Sequence, residues 1–538
     1  MSMIDNAERK ARTLRDVIPS MRSAAVENVA VNSLPSLVVN KRTGLRWRVS
    51  ERRVVLMFVD ILLVNLALLI AASFSGSLVP TFNNILAYNK WFIALTVVWY
   101  GVATFFDSYS LSRAASTTAS LKASLLAASV TVVIYTFIPF VTPQWEARSA
   151  IFTQMALTVI LVAGWRVLYA WVFGQPSFQQ RAIVVGAGKA GKALAAAIQF
   201  MSSDDAHPYR GAFEEAFVKD RVTASVRTRA TNPYRGTGYQ LLGFIDDDPN
   251  QRSAVIEGVP VLGDHRALAQ VAKQLHVDEI ILAVTHRHAI EDDLFNALLH
   301  CRELGFRVVT MPTVYERLTG RLPIDHVGRD LEMVVPMDDN AGERAYQVAK
   351  RMVDIGFSLA GLVVMGLVSI PVAICNLFNS PGPLFYKQRR IGQGGKIFEV
   401  YKFRSMRPDA EKGTGAVWAQ ENDDRITLAG KLLRKTRLDE IPQFINVLKG
   451  EMSVVGPRPE RPEFVNKLSL LLPFYRARHA VKPGITGWAQ ISYGYGSTNE
   501  DAHVKLEYDL YYVKHASPLL DIRIVLQTLP VMLLGKGQ

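Results

Sequence analysis

Cysteine is nearly absent: Cys301 and Cys375 are the only two in 538 residues. Two thiols cannot build a disulfide framework, so the soluble parts are expected in a reducing compartment. No short apolar core followed by a small-residue cleavage site stands near the start, and a secretory leader is not expected. Acidic residues are the minority charge, 48 against 61 Lys and Arg, which leaves a formal net charge of +13. That balance suits nucleic acid, an anionic membrane surface or phosphorylated substrates. Charge of either sign is sparse, at 20% of residues, while 49% are hydrophobic and the mean hydropathy is +0.13. Apolar material is therefore concentrated in runs, and the length predicts three or four units at roughly 150 residues each.

Four of these runs lie at 54–79, 91–106, 123–141 and 150–173. Spanning a bilayer takes ~17–25 apolar residues, so the second is short. Lys41, Arg42, Arg46, Arg48, Arg52 and Arg53 precede the first run, and Arg181 follows the fourth. Arg113 and Lys122 lie between the second and third, while the other loops hold only Lys90 and Arg148. The positive-inside rule then puts both ends of a four-span helical bundle (51–175) in the cytoplasm, after a flexible tail at 1–50. Asp60 lies inside the first run, where a functional intramembrane acid is one reading; it falls only a few residues from the cytoplasmic end, which predicts an interfacial, solvated carboxylate.

Residues 178–325 read as a Rossmann-like α/β domain, with strand candidates at 241–245, 259–262, 279–284 and 307–310. Gly186, Gly188 and Gly191 stand between a buried strand and an Ala-rich helix, the context in which a glycine loop receives a nucleotide pyrophosphate. An acidic partner would be Asp204 or Asp205, in a polar stretch, or Asp246 to Asp248 after the next strand. The loop does not by itself imply redox chemistry. A charged linker, 326–344, leads to a last unit at 345–538, an α-rich α+β domain on a membrane anchor.

The anchor is an apolar run after Arg351 that contains Pro371. A straight span fits its length, but proline removes a backbone hydrogen bond and kinks a helix. A re-entrant helix is expected, leaving Lys350, Arg351 and everything after the run on the cytoplasmic side. Lys387, Arg389, Arg390, Lys396, Lys402 and Arg404 alternate with apolar residues, as on a half-buried strand. The final segment, from 517, reads as an amphipathic helix on the bilayer surface.

The last third has no well-placed nucleophilic Ser or Cys. It does hold the adjacent pair Asp439 and Glu440, between Lys431, Arg434, Lys435, Arg437 and a Gly-Pro-Arg-Pro turn at 456–459. Pro442 belongs in the first turn of a helix, so both carboxylates are expected at the start of the helix carrying Phe444. A plain helix cap with a solvated basic face is one reading. The other is a receiver of phosphates, in which cations neutralise charge, one carboxylate attacks phosphorus and its neighbour holds Mg²⁺. Nucleic acid fits less well, because the cations surround an acidic pair beside a membrane segment.

YKFRSM (401–406), LRKTRLDEIPQFINVLKGEMSVVGPRP (433–459) and VKPGITGWAQI (481–491) closely resemble the bacterial sugar transferase family, the polyprenyl-phosphate hexose-1-phosphate transferases. The arrangement of spans, Rossmann-like domain and C-terminal unit is similar to the family's long polytopic members. The resemblance implies transfer of a hexose 1-phosphate from a nucleotide sugar to a membrane polyprenyl phosphate at the start of exopolysaccharide or capsule synthesis. It implies a bacterial inner-membrane protein, with catalytic and Rossmann-like domains on the cytoplasmic side. Asp439 would be the nucleophile, and Glu440 would hold Mg²⁺ with it or activate the lipid phosphate. Lys402, Arg404, Arg434 and Arg458 would sit on phosphates. The expected partners are nucleotide sugar, lipid and membrane, with homo-oligomers and other polysaccharide-assembly enzymes beside them and no nucleic acid. One departure stands out: the family's Ser-Pro helix break is replaced here by Ser369-Ile370-Pro371.

Two rivals remain. An NAD-dependent nucleotide-sugar dehydratase or epimerase would use a Tyr-x-x-x-Lys pair, and Tyr346 and Lys350 have that spacing. A non-enzymatic nucleotide-sensing scaffold would not keep the Asp439-Glu440 pair.

Overall fold

The computed structural model describes residues 49–106, 108–109, 114, 117–143, 149–173, 179–200, 238–285, 290–328, 333–334, 341–379, 381–407, 410, 425–494, 496 and 498–533. Residues 1–48 of the expected tail, Asp204 and Asp205, and most of the charged linker lie outside these residues.

The four N-terminal runs fold as helices α1 (Val49–Phe74), α2 (Asn89–Phe105), α3 (Thr117–Thr136) and α4 (Ser149–Phe173). Two of them, over Glu51–Phe74 and Ser149–Val172, are long and apolar enough to cross a membrane. α2 has 17 residues, and the apolar part of α3 is shorter than a span needs. Val54, Phe58, Leu62 and Leu66 recur every fourth residue on α1 and stay exposed. Polar groups turn inward instead: Asp60 is fully buried and ion-paired with Arg166 of α4, whose Nη1 donates to the Ser108 carbonyl at 2.7 Å. The expectation of a solvated, interfacial Asp60 is thus overturned. Two opposite charges buried in an apolar bundle offset each other's desolvation, which neither could do alone.

The α/β domain is a six-stranded sheet in the order β3-β4-β2-β1-β5-β6, from β1 (Gln180–Val185), β2 (Tyr239–Ile245), β3 (Val255–Ile256), β4 (Val259–Gly263), β5 (Glu279–Leu282) and β6 (Arg307–Thr310). All pairs are parallel except β3 with β4. Helices α5 (Lys189–Phe200), α6 (Leu268–Gln274), α7 (Asp292–Glu303) and α8 (Met311–Thr319) cover it, with one apolar cluster on each face. This is the doubly wound arrangement the alternating pattern predicts. A Cβ on Gly191 would stand 2.1 Å from the Gly186 carbonyl oxygen, so helix and strand close together only because that residue is glycine.

The last unit begins with α9 (Ala341–Asn379), a 39-residue helix that runs unbroken through Pro371. Both of its ends touch the same globular body. Arg351 donates to the Val447 and Leu448 carbonyls, and Asp354 accepts from Ser453 Oγ and the Val454 N–H. Eighteen residues past Asp354, Val372 packs with Phe403 and Leu433. Then come the hairpin β7 (Phe385–Ile391) and β8 (Ile397–Phe403), helix α10 (Leu428–Lys435), a 3₁₀ turn (Leu438–Gln443) and α11 (Phe444–Lys449). The chain closes with β9 (Ser453–Val455), α12 (Pro462–Leu471), β10 (Gly484–Thr486), α13 (Trp488–Ser492), α14 (Asn499–His515) and α15 (Pro518–Leu533). In α15 Ile524 is fully buried in this unit's core and the helix also packs on α2, while Leu519 and Ile522 stay exposed. An amphipathic pattern marks one apolar face without saying whether lipid or protein covers it.

Candidate active site

Asp439 and Glu440 lie in the 3₁₀ turn that leads directly into α11, as the position of Pro442 predicts. The turn leaves α10 through Arg437, whose φ of 54° is left-handed, a conformation costing about 1 kcal/mol or more outside glycine. Both carboxylates are buried, at 8% and 6% exposure. Their surroundings differ sharply. Glu440 Oε1 accepts from Lys402 Nζ at 2.8 Å and Arg458 Nη2 at 2.6 Å. Its Oε2 faces Arg458 Nη1 at 3.3 Å and Arg437 Nη1 at 3.7 Å. Among the described residues no side chain hydrogen-bonds or ion-pairs with Asp439.

Electrostatics follow the contacts. Burial alone would raise Glu440, but Arg458 and Lys402 overcome it and hold the carboxyl well below the usual range. Asp439 is pushed up, first by burial and then by the Glu440 charge, with Lys402, Arg434 and Arg458 only partly opposing. Burial likewise lowers Lys402. Two neighbours with diverging acidities are the mark of two carboxylates in different roles.

The Gly-Pro-Arg-Pro turn presents Arg458 by locking against the Pro-Gly-Ile-Thr-Gly turn at 483–487. β9 and β10 pair in parallel there, the Gly456 N–H donates to the Thr486 carbonyl at 2.9 Å, and the Gly484 N–H donates to Pro457 at 2.9 Å. A Cβ on Gly456 would meet the Lys482 carbonyl at 2.3 Å, and one on Gly484 the Gly456 nitrogen at 2.1 Å. The two glycines are required by this backbone contact. Behind β8, the fully buried Asn446 donates to the Glu399 carbonyl and accepts from the Tyr401 N–H, holding the strand that carries Lys402.

Of the expected phosphate ligands, the structure brings Lys402 and Arg458 onto Glu440 and Arg434 within electrostatic reach of Asp439, its Nε donating to Ser405 Oγ at 3.0 Å. Arg404 is set aside from the pair: it is buried, and its Nε donates to the Pro383 carbonyl at 2.8 Å. Arg437 reaches Glu440 although only its neighbours drew attention as ligands, because its left-handed backbone turns it back. Asp354, which accepts from Ser453 and Val454, and Asp509, which accepts from the Arg478 that also donates to the Arg458 carbonyl, support the site across long sequence separations and carry no local signal.

In the α/β domain the Ala187 N–H, inside the glycine loop, donates to Asp246 Oδ2 at 2.6 Å. The acid that meets the loop therefore follows β2, as in other doubly wound sheets. Tyr346 and Lys350 do not join it. Both bind Asp521 Oδ2, at 2.8 and 2.7 Å, and so tie α9 to α15. Among the described residues no group of three or more His, Cys, Asp or Glu is placed to hold a metal.

The sequence matches the family model for bacterial sugar transferase over residues 345–535, and that for a CoA-binding domain over 225–312. A UDP-N-acetylgalactosamine-undecaprenyl-phosphate N-acetylgalactosaminephosphotransferase of Aeromonas hydrophila is 38% identical over 309 residues, 56% of this chain and 69% of that protein. A UDP-glucose:undecaprenyl-phosphate glucose-1-phosphate transferase of Xanthomonas campestris pv. campestris is 34% identical over 282 residues, 52% of this chain and 58% of that protein. The exopolysaccharide production protein PSS of Rhizobium leguminosarum bv. phaseoli is 43% identical over 196 residues, 35% of this chain and 98% of that protein. A crystal structure of the Rex-family repressor RSP covers 42% of this chain and 75% of its own at 15% identity and a TM-score of 0.17, too slight a likeness to build on.

Proposed function

The chain belongs to the bacterial sugar transferase family, and from that premise we propose that it moves a hexose 1-phosphate from a UDP-sugar to undecaprenyl phosphate. The product would open the assembly of an exopolysaccharide or capsule at the inner membrane. The observation that carries this reading is the asymmetry of the carboxylate pair: Glu440 is saturated by cations, while Asp439 is buried beside it with its acidity weakened. A poorly solvated, weakly acidic carboxylate is the better nucleophile of the two.

An Asp439 oxygen attacks the phosphorus that bears the sugar. The bond from that phosphorus to the bridging oxygen breaks, UMP departs, and an aspartyl phosphosugar remains. An oxygen of the lipid phosphate then attacks the same phosphorus and frees Asp439. Lys402 and Arg458, already converged on Glu440, supply fixed positive charge where the diphosphate arrives, and Arg434 adds charge on the Asp439 side. Mg²⁺ is a hard cation that takes one or two carboxylates together with substrate phosphate oxygens, and Asp439, which no described side chain pairs with, is the open carboxylate beside the cation-bound Glu440. Asp439 and Glu440 would hold it, and when bound it neutralises diphosphate charge.

The helix α9 enters the bilayer and returns on this reading, because both its ends pack on one body that cannot lie on two sides of a membrane. Purified protein given a panel of UDP-sugars with Mg²⁺ should release UMP in one stoichiometric burst as the aspartyl phosphosugar forms, and should turn over continuously only when undecaprenyl phosphate is also present. Continuous turnover without lipid acceptor, or no UMP with any sugar, would remove the reading. Cysteines placed at Val348 and Lys387, both exposed, should react with an impermeant thiol reagent from the same membrane face. Reaction from opposite faces would show a span.

A further inference from the structure

The turn that presents Arg458 is itself held from behind. Arg478 donates Nη2 to the Arg458 carbonyl at 2.9 Å and to Asp509 Oδ2 at 2.6 Å, and Nη1 to the Tyr475 hydroxyl at 2.8 Å. All three holding side chains are buried: Arg478 is 7% exposed, Asp509 2% and Tyr475 3%. They come from separate elements, since Asp509 lies in α14 while Tyr475 and Arg478 lie in the turn at Tyr475–Ala480. A buried ion pair is a weak source of stability, because desolvation offsets its attraction and apolar replacements often do as well. Its value here is directional. A guanidinium carries donors at fixed angles, so one side chain can bridge a carboxylate, a phenol and a backbone carbonyl at once. An ammonium could satisfy Asp509 but would not hold the same three acceptors in one plane.

On the far side of that carbonyl, the Arg458 side chain delivers both ends of its fork to Glu440. Arg478 does not touch the carboxylate pair. We propose that Arg478, clamped by Asp509 and Tyr475, is a positioning residue for the transfer reaction, fixing the Arg458 backbone so that its fork meets Glu440 and the donor diphosphate. The proposal rests on the function given above, in which Arg458 faces phosphate.

A double-mutant cycle on the full-length protein in detergent tests it. Arg478→Lys should lower kcat ~10-fold with the KM for UDP-sugar within ~2-fold, and Arg458→Lys should lower kcat ~100-fold. The double variant should be no worse than Arg458→Lys alone, since Arg478 acts only through Arg458. Losses that multiply to ~1000-fold would overturn the proposal, because independent structural damage adds in free energy. So would wild-type kcat in Arg478→Lys. Thermal midpoint and membrane yield are followed in parallel. Should Arg478→Lys not accumulate, Tyr475→Phe removes only the oxygen that accepts Nη1, and the same cycle is run with it. There a loss of ~3-fold, absorbed by Arg458→Lys, supports the proposal, and a multiplying loss or none overturns it. Wild-type protein that releases no UMP with any sugar would sink the underlying function as well, whereas multiplying losses in an active enzyme sink the positioning role alone.

Discussion

The α/β domain and the transferase unit both depend on backbones that only glycine lets approach, yet they leave their polar groups in opposite conditions. In the α/β domain, Gly191 closes on the Gly186 carbonyl and the loop's Ala187 N–H is already taken by Asp246. In the transferase unit, Gly456 and Gly484 close on each other's turns and push Arg458 toward Glu440, while no described side chain pairs with Asp439. A tight glycine turn is a scaffold in both cases. Chemistry is expected where a buried group has been left short of partners, because that is where a substrate gains most by arriving.

Removing the Asp439 carboxylate, with which no described side chain pairs, should have the largest effect. Asp439→Asn keeps shape and burial but loses the proposed nucleophile, so turnover should fall at least ~10³-fold and labelling by nucleotide sugar should vanish. Membrane insertion should be unchanged. Substantial residual activity would erase the distinction between the two regions. Glu440→Gln comes next: it strips the counter-charge from Lys402, Arg437 and Arg458. Activity should drop ~100-fold and stability by roughly 2 kcal/mol, read from the thermal midpoint in detergent. A variant equally stable to wild type would show that the cations are satisfied elsewhere.

How much of this was legible in the sequence follows from how far apart the partners lie. The glycine loop, the carboxylate pair and the Gly-Pro-Arg-Pro turn are contiguous, and so is the chemistry that their residue types imply. The alternating strands and helices of the α/β domain are equally local. What escapes is pairing at a distance: Asp60 with Arg166, Asp354 with Ser453, and Arg478 with Asp509 are 106, 99 and 31 residues apart. Nothing in a local period announces such a partner. The division of labour within the carboxylate pair was hidden for the same reason, since Lys402 and Arg458 reach Glu440 across 38 and 18 residues.

The two regions also meet, and their seam should respond to pH. Helix α14 offers Lys514 and His515 to Glu316 of α8, both at 2.8 Å, and His503 to Asp325 at 3.2 Å. Glu507 faces Arg321 at 3.7 Å. Burial pushes Glu507 up to about 7 from an ordinary 4.5, against the pull of Arg321 and His503 and with help from Asp325. Between those values the folded chain holds a proton that the unfolded chain has released, so stability falls as pH rises through the window. His503, raised by its hydrogen bond to Asp325, adds a slope of the same sign at higher pH. Glu507 and His503 therefore pull the thermal midpoint down from pH 5 to 7.5, against His326 and His479, which burial lowers and whose contribution rises with pH below 6.5. Glu507→Gln should flatten the lower part of that decline, worth up to roughly 3 kcal/mol. An unaltered slope would place the titration elsewhere.

The smallest effect sharpens the comparison most. A Cβ on Gly188 meets nothing within 4 Å, whereas one on Gly191 stands 2.1 Å from the Gly186 carbonyl oxygen. Gly188→Val should thus fold normally and, if the glycine loop takes no part in phosphosugar transfer, leave UMP release in detergent within ~2-fold of wild type. Gly191→Val should instead unseat α5 from the sheet and lower the midpoint of the α/β domain by several degrees, since overpacking costs ~1–3 kcal/mol. Loss of turnover in Gly188→Val comparable to that of Asp439→Asn, in a protein whose midpoint has not moved, would mean that the α/β loop is open to a ligand after all and that transfer depends on what it holds.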